Sequence, residues 1–381
     1  MKTSCRLLFA MGTLSMAGVC AAEPVTTDAI RQRGVISTEN PGRLIGVMQK
    51  AARGEDITIA AIGGSITAGG LQTKDPKNRY IARFADWFTK TFPQAKVQFV
   101  NAGIGGTNSV YGAMRVKGDV LSKKPDLVIV EFGVNDKAPP IFPLSYEGVL
   151  RQILKDPRKP AVIELFFMHA DGGNEQEPQQ KLGQHYGLPM VSFRDAWWPE
   201  IKEGRAKWED MYADVVHPND VGHTLTSELL ISLLEDAKLK SQAGTAPPVP
   251  DLPAPLHSDV FENCRFTRIA DLKPTENSGW TLSENGKSWE SPAADAAIEL
   301  GFSGKILFLG YDLGKGAEPF ATFSIDGGDP QPLKTNGDRL PLAENLAAGD
   351  HRIRIEFAAS NLPTGSTDKI KIWGLGTAGG Q

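Results

Sequence analysis

Cysteine is nearly missing from this 381-residue chain, which has only Cys5, Cys20 and Cys264. Two of the three fall in Met1 to Ala22. There Lys2 and Arg6 are the only charges, an apolar stretch runs from Leu7 to about Val19, and Cys20-Ala21-Ala22 precedes Glu23. That order of charge, apolar stretch and small residues is expected to be a secretory signal peptide cleaved after Ala22. The stretch is short for a membrane anchor, since about 20 apolar residues are needed to span. Val19 is a poor neighbour for a lipidated Cys20. With the peptide gone only Cys264 is left. An internal disulfide is therefore excluded, and a large core must do the work that bridges do in small exported domains. Cys264 reads as a small buried apolar residue. A Lys/Arg run is also lacking, and removal of Lys2 and Arg6 leaves 39 Lys and Arg against 45 Asp and Glu. Nucleic acid is accordingly not an expected partner.

What remains has the hydrophobic content, 41%, and charge, 23%, of a globular protein. Residues 23–56 read as a lead-in with one or two helices, including the apolar spacing of Arg43 to Ala52. From Ile57 onward strands and helices alternate. Strands are expected at Ile57–Ile62, Lys96–Asn101, Leu127–Phe132, Ala161–Met168 and Pro189–Phe193. Helices are expected at Tyr80–Phe88, Val110–Ser122, Tyr146–Lys155, Gln176–Tyr186 and Val221–Lys240. This alternation means a parallel sheet covered on both faces, an α/β domain over 23–240. Residues 241–256, with Pro247-Pro248-Val249-Pro250 and Pro253-Ala254-Pro255, read as an extended proline-rich linker. Over 257–381 the pattern changes to short alternating strands, among them Lys305–Tyr311, Ala321–Ile325, Arg352–Phe357 and Lys369–Trp373. Asp326-Gly327-Gly328 is a hairpin signal, and the expected unit is a smaller all-β sandwich.

Four blocks follow predicted strands of the first domain: Gly63-Gly64-Ser65-Ile66-Thr67, Asn101 to Thr107, Gly133-Val134-Asn135-Asp136, and Asp214-Val215-Val216-His217-Pro218-Asn219. A buried strand ended by glycines sets Ser65 at the carboxyl edge of the sheet, where open α/β folds hold ligands. Taken alone, this is also what a plain Gly/Ser loop looks like. A serine hydroxyl needs a base, and the base needs an orienting partner. Asp214 and His217, three apart before the last helix, supply both. Backbone N–H groups of Ser65 and of a glycine in the second block, with the Asn135 amide, supply oxyanion donors. The elbow of ordinary α/β-hydrolases is excluded because Thr67 stands where Gly-x-Ser-x-Gly needs its last glycine. A phosphate loop is excluded because no Gly-Lys-Ser/Thr follows.

In order and spacing the four blocks resemble the SGNH hydrolase superfamily, also called GDSL-type esterases, over about residues 57–240. The resemblance implies Ser65 as nucleophile, Gly106 (with Gly105 the close alternative) and Asn135 as oxyanion donors, and Asp214 and His217 as acid and base. It implies a flavodoxin-like α/β/α sandwich, to which the sequence adds a jelly-roll-like β-sandwich, and ester hydrolysis with no metal or other cofactor. Gly63-Gly64-Ser65 replaces the usual Gly-Asp-Ser, a variant similar to a subgroup of carbohydrate-active esterases.

The expected protein is therefore a secreted or periplasmic serine esterase. Its partner would be an acylated carbohydrate from which it removes O-acetyl groups. A lipase or general acylhydrolase, an O-acetyltransferase with the same residues, and a non-enzymatic glycan-binding envelope module are the alternatives. His169 and Arg115 are candidate substrate contacts, the latter against a solvated helix face. Asp136 reads as structural and His223 as packing. His185, His257 and His351 show no partner pattern. Trp197-Trp198 and Trp208 are candidates for the mouth of the site, and Trp280 and Trp289 for the core of the sandwich.

Overall fold

In the computed structural model, the described residues are 25–380 apart from 71, 74, 245, 293–294, 315–319, 336–338 and 360–367. The predicted signal peptide lies outside them. The first domain runs α1 (Asp28–Gly34), β1 (Val35–Ser37), α2 (Gly42–Ala52), β2 (Ile57–Gly63), α3 (Ser65–Ala68), α4 (Tyr80–Thr91), β3 (Val97–Gly103) and α5 (Ser109–Asp119). It continues through β4 (Leu127–Glu131), α6 (Ile141–Leu154), β5 (Ala161–Phe166), α7 (Gln176–Tyr186), β6 (Met190–Ser192), α8 (Phe193–Lys202), α9 (Trp208–Met211) and α10 (Asp220–Gln242).

One six-stranded sheet has the order β1-β6-β5-β4-β2-β3. Strands β2 to β6 pair in parallel. Read without β1 their order is that of the flavodoxin-like doubly wound fold. The edge strand β1 is antiparallel to β6, an addition to the expected parallel sheet. Three residues between two turns of helix give no alternation to read, so only packing against β6 reveals it.

Side chains alternate across the sheet as a strand's period of two requires. Ile57, Ile59, Leu127, Ile129 and Ile163 point into a core shared with α2, α4, α8 and α10. Ala60, Ile62, Val128, Val130 and Val162 point into a second core with α5, α6 and α7. Both faces are apolar because both are covered.

The second domain is built of antiparallel strands β7 (Arg265–Arg268), β8 (Pro274–Ser278), β9 (Thr281–Leu282), β10 (Trp289–Glu290), β11 (Ala296–Ser303), β12 (Ile306–Leu313), β13 (Ala321–Ile325), β14 (Gln331–Pro332), β15 (Asp350–Phe357) and β16 (Ile370–Ala378). They form two five-stranded sheets around a core that includes Trp280, Ile298, Leu307, Ile355 and Ile372, with Trp289 packed against it. The other face of the β12–β16 sheet does not meet solvent. Phe308 and Ala378 join Tyr111, Met114 and Phe142 of the α/β domain in a common core. Tyr111 stacks on Phe308 and meets Phe266 and Trp373 edge-on.

The proline-rich segment is strapped down rather than free. Glu147 accepts backbone N–H groups of Leu256, His257 and Ser258, and Arg151 donates to the Pro253 carbonyl. Three amide donors on one carboxylate, with the Tyr186 hydroxyl, hold the Glu147 pKa below its usual value although burial opposes this. Cys264 is buried, and burial pushes its thiol up to about 12, so it is inert as a nucleophile. Among the described residues no helix is long and apolar enough to cross a membrane.

Candidate active site

In a doubly wound sheet the ends of two neighbouring strands part where the chain order reverses, and this leaves a crevice at their carboxyl ends. Here that point lies between β2 and β4. Ser65 follows β2 and Asn135 follows β4, so topology alone brings them together. A Cβ on Gly64 would lie 2.1 Å from Asn135 Oδ1, which leaves only glycine at that position. Ser65 opens the short helix α3, so its hydroxyl sits at a turn and not in the strand.

The fourth block arrives from the far end of the domain. Ala213 N–H donates to the His217 carbonyl, and Tyr212 bridges to Pro218. The segment is a tight loop with Asp214 near its tip. Asn219 caps α10 by accepting from Val221 and Gly222 N–H groups. A Cβ on Gly222 would strike the Met211 carbonyl at 2.2 Å, so a glycine there lets the helix press against the loop.

The outcome is a line of three groups. His217 Nε2 is 2.8 Å from Ser65 Oγ. His217 Nδ1 is 2.8 Å from Asp214 Oδ2 and 3.0 Å from Oδ1. Asp214 also accepts the N–H groups of Val216 and His217 and the Gln72 amide, the last at 2.9 Å. Burial would raise the Asp214 pKa. The His217 and Val216 N–H groups and the imidazole more than offset it, and hold the carboxyl below the usual range. Asp214 nevertheless has 39% of its side-chain surface exposed, against 18% for His217.

Beneath Ser65 the surroundings are buried. Glu131 stands opposite Gly63 in the β2–β4 register and accepts the Thr67 hydroxyl at 2.9 Å. Thr67 Oγ1 is also 3.0 Å from the Tyr80 hydroxyl. Burial pushes Glu131 up to about 7, although the Thr67 hydroxyl and the N–H groups of Gly64 and Thr67 pull it down. Asp136 is buried too, accepting from Ser109 N–H and Gln179, and burial pushes it up to about 7. It ties the Asn135 turn to the start of α5, and so to the glycine loop before it.

Of the second-block glycines, Gly106 has φ +65°, the left-handed region that favours glycine. A Cβ on Gly105 would lie 3.9 Å from Ser65 Cβ, while one on Gly106 would meet nothing within 4 Å. Gly105 therefore lies beside the serine, and Gly106 follows it at the left-handed turn of the same loop. Gly106 also borders a hollow of about 310 Å³ shared with Tyr311, Asp312, Arg339 and Trp373 of the second domain.

Three expectations need correction. Arg115 is neither a substrate contact nor a solvated residue: it is 3% exposed, and its guanidinium binds backbone carbonyls and Asp119. Trp197 is buried in the core rather than at the mouth, packed with Phe193 of the same helix. His351 does have partners, the Ala347 carbonyl at 2.9 Å and Asp326 Oδ2 at 2.6 Å, the latter 25 positions away and so beyond the reach of pattern reading. His169 stands at the rim, its Nε2 3.1 Å from the Val134 carbonyl. Trp208 donates to the Asp214 carbonyl and stacks on Tyr212, and Trp198 lies over Gly172. His223 is buried, accepts the Tyr80 N–H, and is pushed by burial down to about 4.

Gln72 carries no motif that would mark its contact, and Asn101, although it opens the second block, gives no sign in sequence that its amide donates to the Thr67 carbonyl. Glu131 did leave a signal, since it is the one charge in the otherwise apolar strand Leu127–Phe132.

Residues 61–225 match the model of the GDSL-like lipase/acylhydrolase family. An acetylxylan esterase of Geobacillus stearothermophilus is 24% identical over 210 residues, which is 48% of this chain and 94% of that protein. A two-domain esterase active on acetylated mannans, co-crystallized with mannopentaose, superposes with a TM-score of 0.82 at 29% identity, over 92% of this chain and 98% of its own. A further structure of a two-domain esterase active on acetylated mannans gives 0.83 at 28% identity, over 92% and 99%.

Proposed function

We propose that this chain, which belongs through its α/β domain to the GDSL-like lipase/acylhydrolase family and is a carboxylic ester hydrolase, removes O-acetyl groups from a polysaccharide by way of an acyl-enzyme on Ser65. The observation that carries the reading is the 2.8 Å contact of His217 Nε2 with Ser65 Oγ, backed by Asp214 on Nδ1. With Asp214 accepting the Nδ1 proton, Nε2 is the acceptor tautomer that takes the serine proton as Oγ attacks the acetyl carbon. The oxyanion then forms between the N–H groups of Ser65 and Gly106 and the Asn135 amide nitrogen. Asn135 Oδ1 is buried without a partner among the described residues, and the amide nitrogen is the end left to donate. The imidazolium hands its proton to the departing sugar oxygen. Water, activated by the same ring, releases acetate and restores Ser65.

Acetylated mannan is the first substrate to test. Full-length similarity in both domains links this chain to esterases active on acetylated mannans, whereas the acetylxylan esterase matches only about half of it. The hollow beside Gly106 offers Trp373, Arg339 and Asp312, an aromatic plane and charged groups of the kind that hold sugars. We further propose export, from the Met1–Ala22 pattern, which N-terminal sequencing of the mature protein beginning at Glu23 would support.

The test is acetate release from acetylated mannan and acetylated xylan, alongside p-nitrophenyl acetate and its longer-chain homologues, by wild type and Ser65→Ala. Turnover of acetyl esters by wild type alone is the expected result. Equal turnover by both would remove Ser65 as nucleophile, and a preference for long acyl chains would replace the acetyl reading with a lipase.

A further inference from the structure

Arg115 is a permanently charged group placed where solvent does not reach it, and neither substrate binding nor a surface role accounts for it. Its Nη1 donates to the Ala102 carbonyl at 2.5 Å and its Nη2 to the Gly63 carbonyl at 3.1 Å. These carbonyls stand at the carboxyl ends of β3 and β2. Gly63 lies two residues before Ser65, and Ala102 four before Gly106. The Gly63 carbonyl also accepts the Ile104 N–H at 3.1 Å. On the other side of the serine, Asn101 Nδ2 donates to the Thr67 carbonyl at 2.8 Å, while its Oδ1 accepts the Gly103 N–H at 2.9 Å. Two side chains of the β3–α5 segment thus hold the Ser65 turn, one just before it and one just after.

A buried guanidinium is costly to desolvate and is kept only where its planar fork meets several acceptors at once. Here the fork spans the ends of two neighbouring strands, with Asp119 at 3.3 Å as counter-charge and the Tyr111 ring 5.5 Å away. The two strand ends it joins launch the two loops whose amides must face one acyl oxygen. Resting on the ester-hydrolysis reading above, we propose that Arg115 is a positioning residue for the reaction. It sets the spacing between the Ser65 turn and the Gly105-Gly106 loop so that donors from both converge on the oxyanion. Displacement of such donors by about 1 Å is enough to cost on the order of a hundredfold in rate.

The experiment measures kcat and KM on p-nitrophenyl acetate for Ser65→Ala, Arg115→Met, Arg115→Lys and Arg115→Ala, with near-ultraviolet circular dichroism as the check on packing. Ser65→Ala is expected to be inactive. Arg115→Met is expected to keep its spectrum and a KM within about threefold of wild type while kcat falls about a hundredfold. Arg115→Lys should regain about tenfold of that loss, since an ammonium restores a charged donor but not the fork. Guanidinium at low millimolar concentration should raise turnover several-fold in Arg115→Ala, where truncation leaves room for it, and leave wild type unchanged. A kcat near wild type in Arg115→Met overturns the proposal. So does a loss that falls on KM, or one that neither lysine nor guanidinium relieves, since either marks a fold residue only. If Arg115→Met does not fold, Arg115→Lys decides: a tenfold lower kcat at constant KM supports the proposal and an unchanged kcat overturns it. Activity surviving in Ser65→Ala would instead defeat the hydrolase mechanism itself.

Discussion

The two halves of the site are held in opposite ways. The Asp214–His217 half is partly exposed and local, with contacts made mostly among residues 211–219 and the start of α10. The Ser65 half is buried and non-local: Glu131, Tyr80 and, from the β3–α5 segment, Asn101 and Arg115 reach it from three other segments. A loop that satisfies its own hydrogen bonds can tolerate solvent. A sharp turn packed against strand ends cannot, because its carbonyls and amides have to be matched from elsewhere. Substitutions in the first half should therefore act on rate with little effect on folding, whereas those in the second should touch both.

The largest expected effect is Asp214→Asn, which keeps shape but lets His217 take the wrong tautomer. It should lower kcat by roughly 10³- to 10⁴-fold, with thermal stability unchanged, as read by initial rates and a melting curve side by side. A loss below tenfold would mean that the exposed carboxylate only orients the loop. Next is Asn135→Ala, expected to lower kcat on the order of 10²- to 10³-fold with KM little altered. A loss confined to KM would place Asn135 in substrate binding instead.

Buried carboxyls in and beside the central sheet also show in stability. Burial pushes Glu164, on β5, up to about 8, although the nearby Tyr146 hydroxyl pulls it down. The folded state thus keeps a proton there that the unfolded chain loses near its ordinary value of 4.5. Between those values the folded state binds more protons than the unfolded, so stability falls as pH rises through this window and levels off above about 8. Glu131 and Asp136 act in the same direction up to about 7. Glu164→Gln should flatten the decline without abolishing it, leaving Tm several degrees above wild type at pH 8 relative to pH 5. Equal slopes in the two proteins would show that Glu164 is ionised in the fold. The smallest effect belongs to Gln72→Ala, which removes one donor from the exposed Asp214. It should cost roughly twofold to tenfold in kcat, the worth of one hydrogen bond to a charged group in partial solvent. A larger loss would show that the exposed half also depends on remote contacts.

The same contrast explains how far the residues could be read in advance. Alternating strands and helices, the glycines around Ser65 and the three-residue interval from Asp214 to His217 are local patterns, and each is visible in a few consecutive residues. β1 was too short to show a period. Arg115 reads in sequence as a substrate contact or a solvated helix residue and is neither, because periodicity gives the face of a helix but not what covers it. Here the second domain covers it: Phe308 and Trp373 close over Tyr111, one turn before Arg115. The strapping of residues 251–258 by Glu147 and Arg151 was equally hidden, since a proline-rich composition states stiffness and not adhesion.

By itself the sequence determined the succession of alternating α/β and antiparallel β segments, and which strand-end blocks carry the serine, the asparagine, the carboxylate and the imidazole. Backbone propensity and side-chain chemistry are properties of neighbouring residues, and they survive without coordinates. Only the tertiary structure decided that these groups share one crevice at the β2–β4 switch point. It alone put a buried guanidinium under the Ser65 turn and pressed the second domain onto α5. Those outcomes depend on which strand ends become neighbours when the sheet forms, and contacts across fifty or more positions leave no trace in any short stretch of chain.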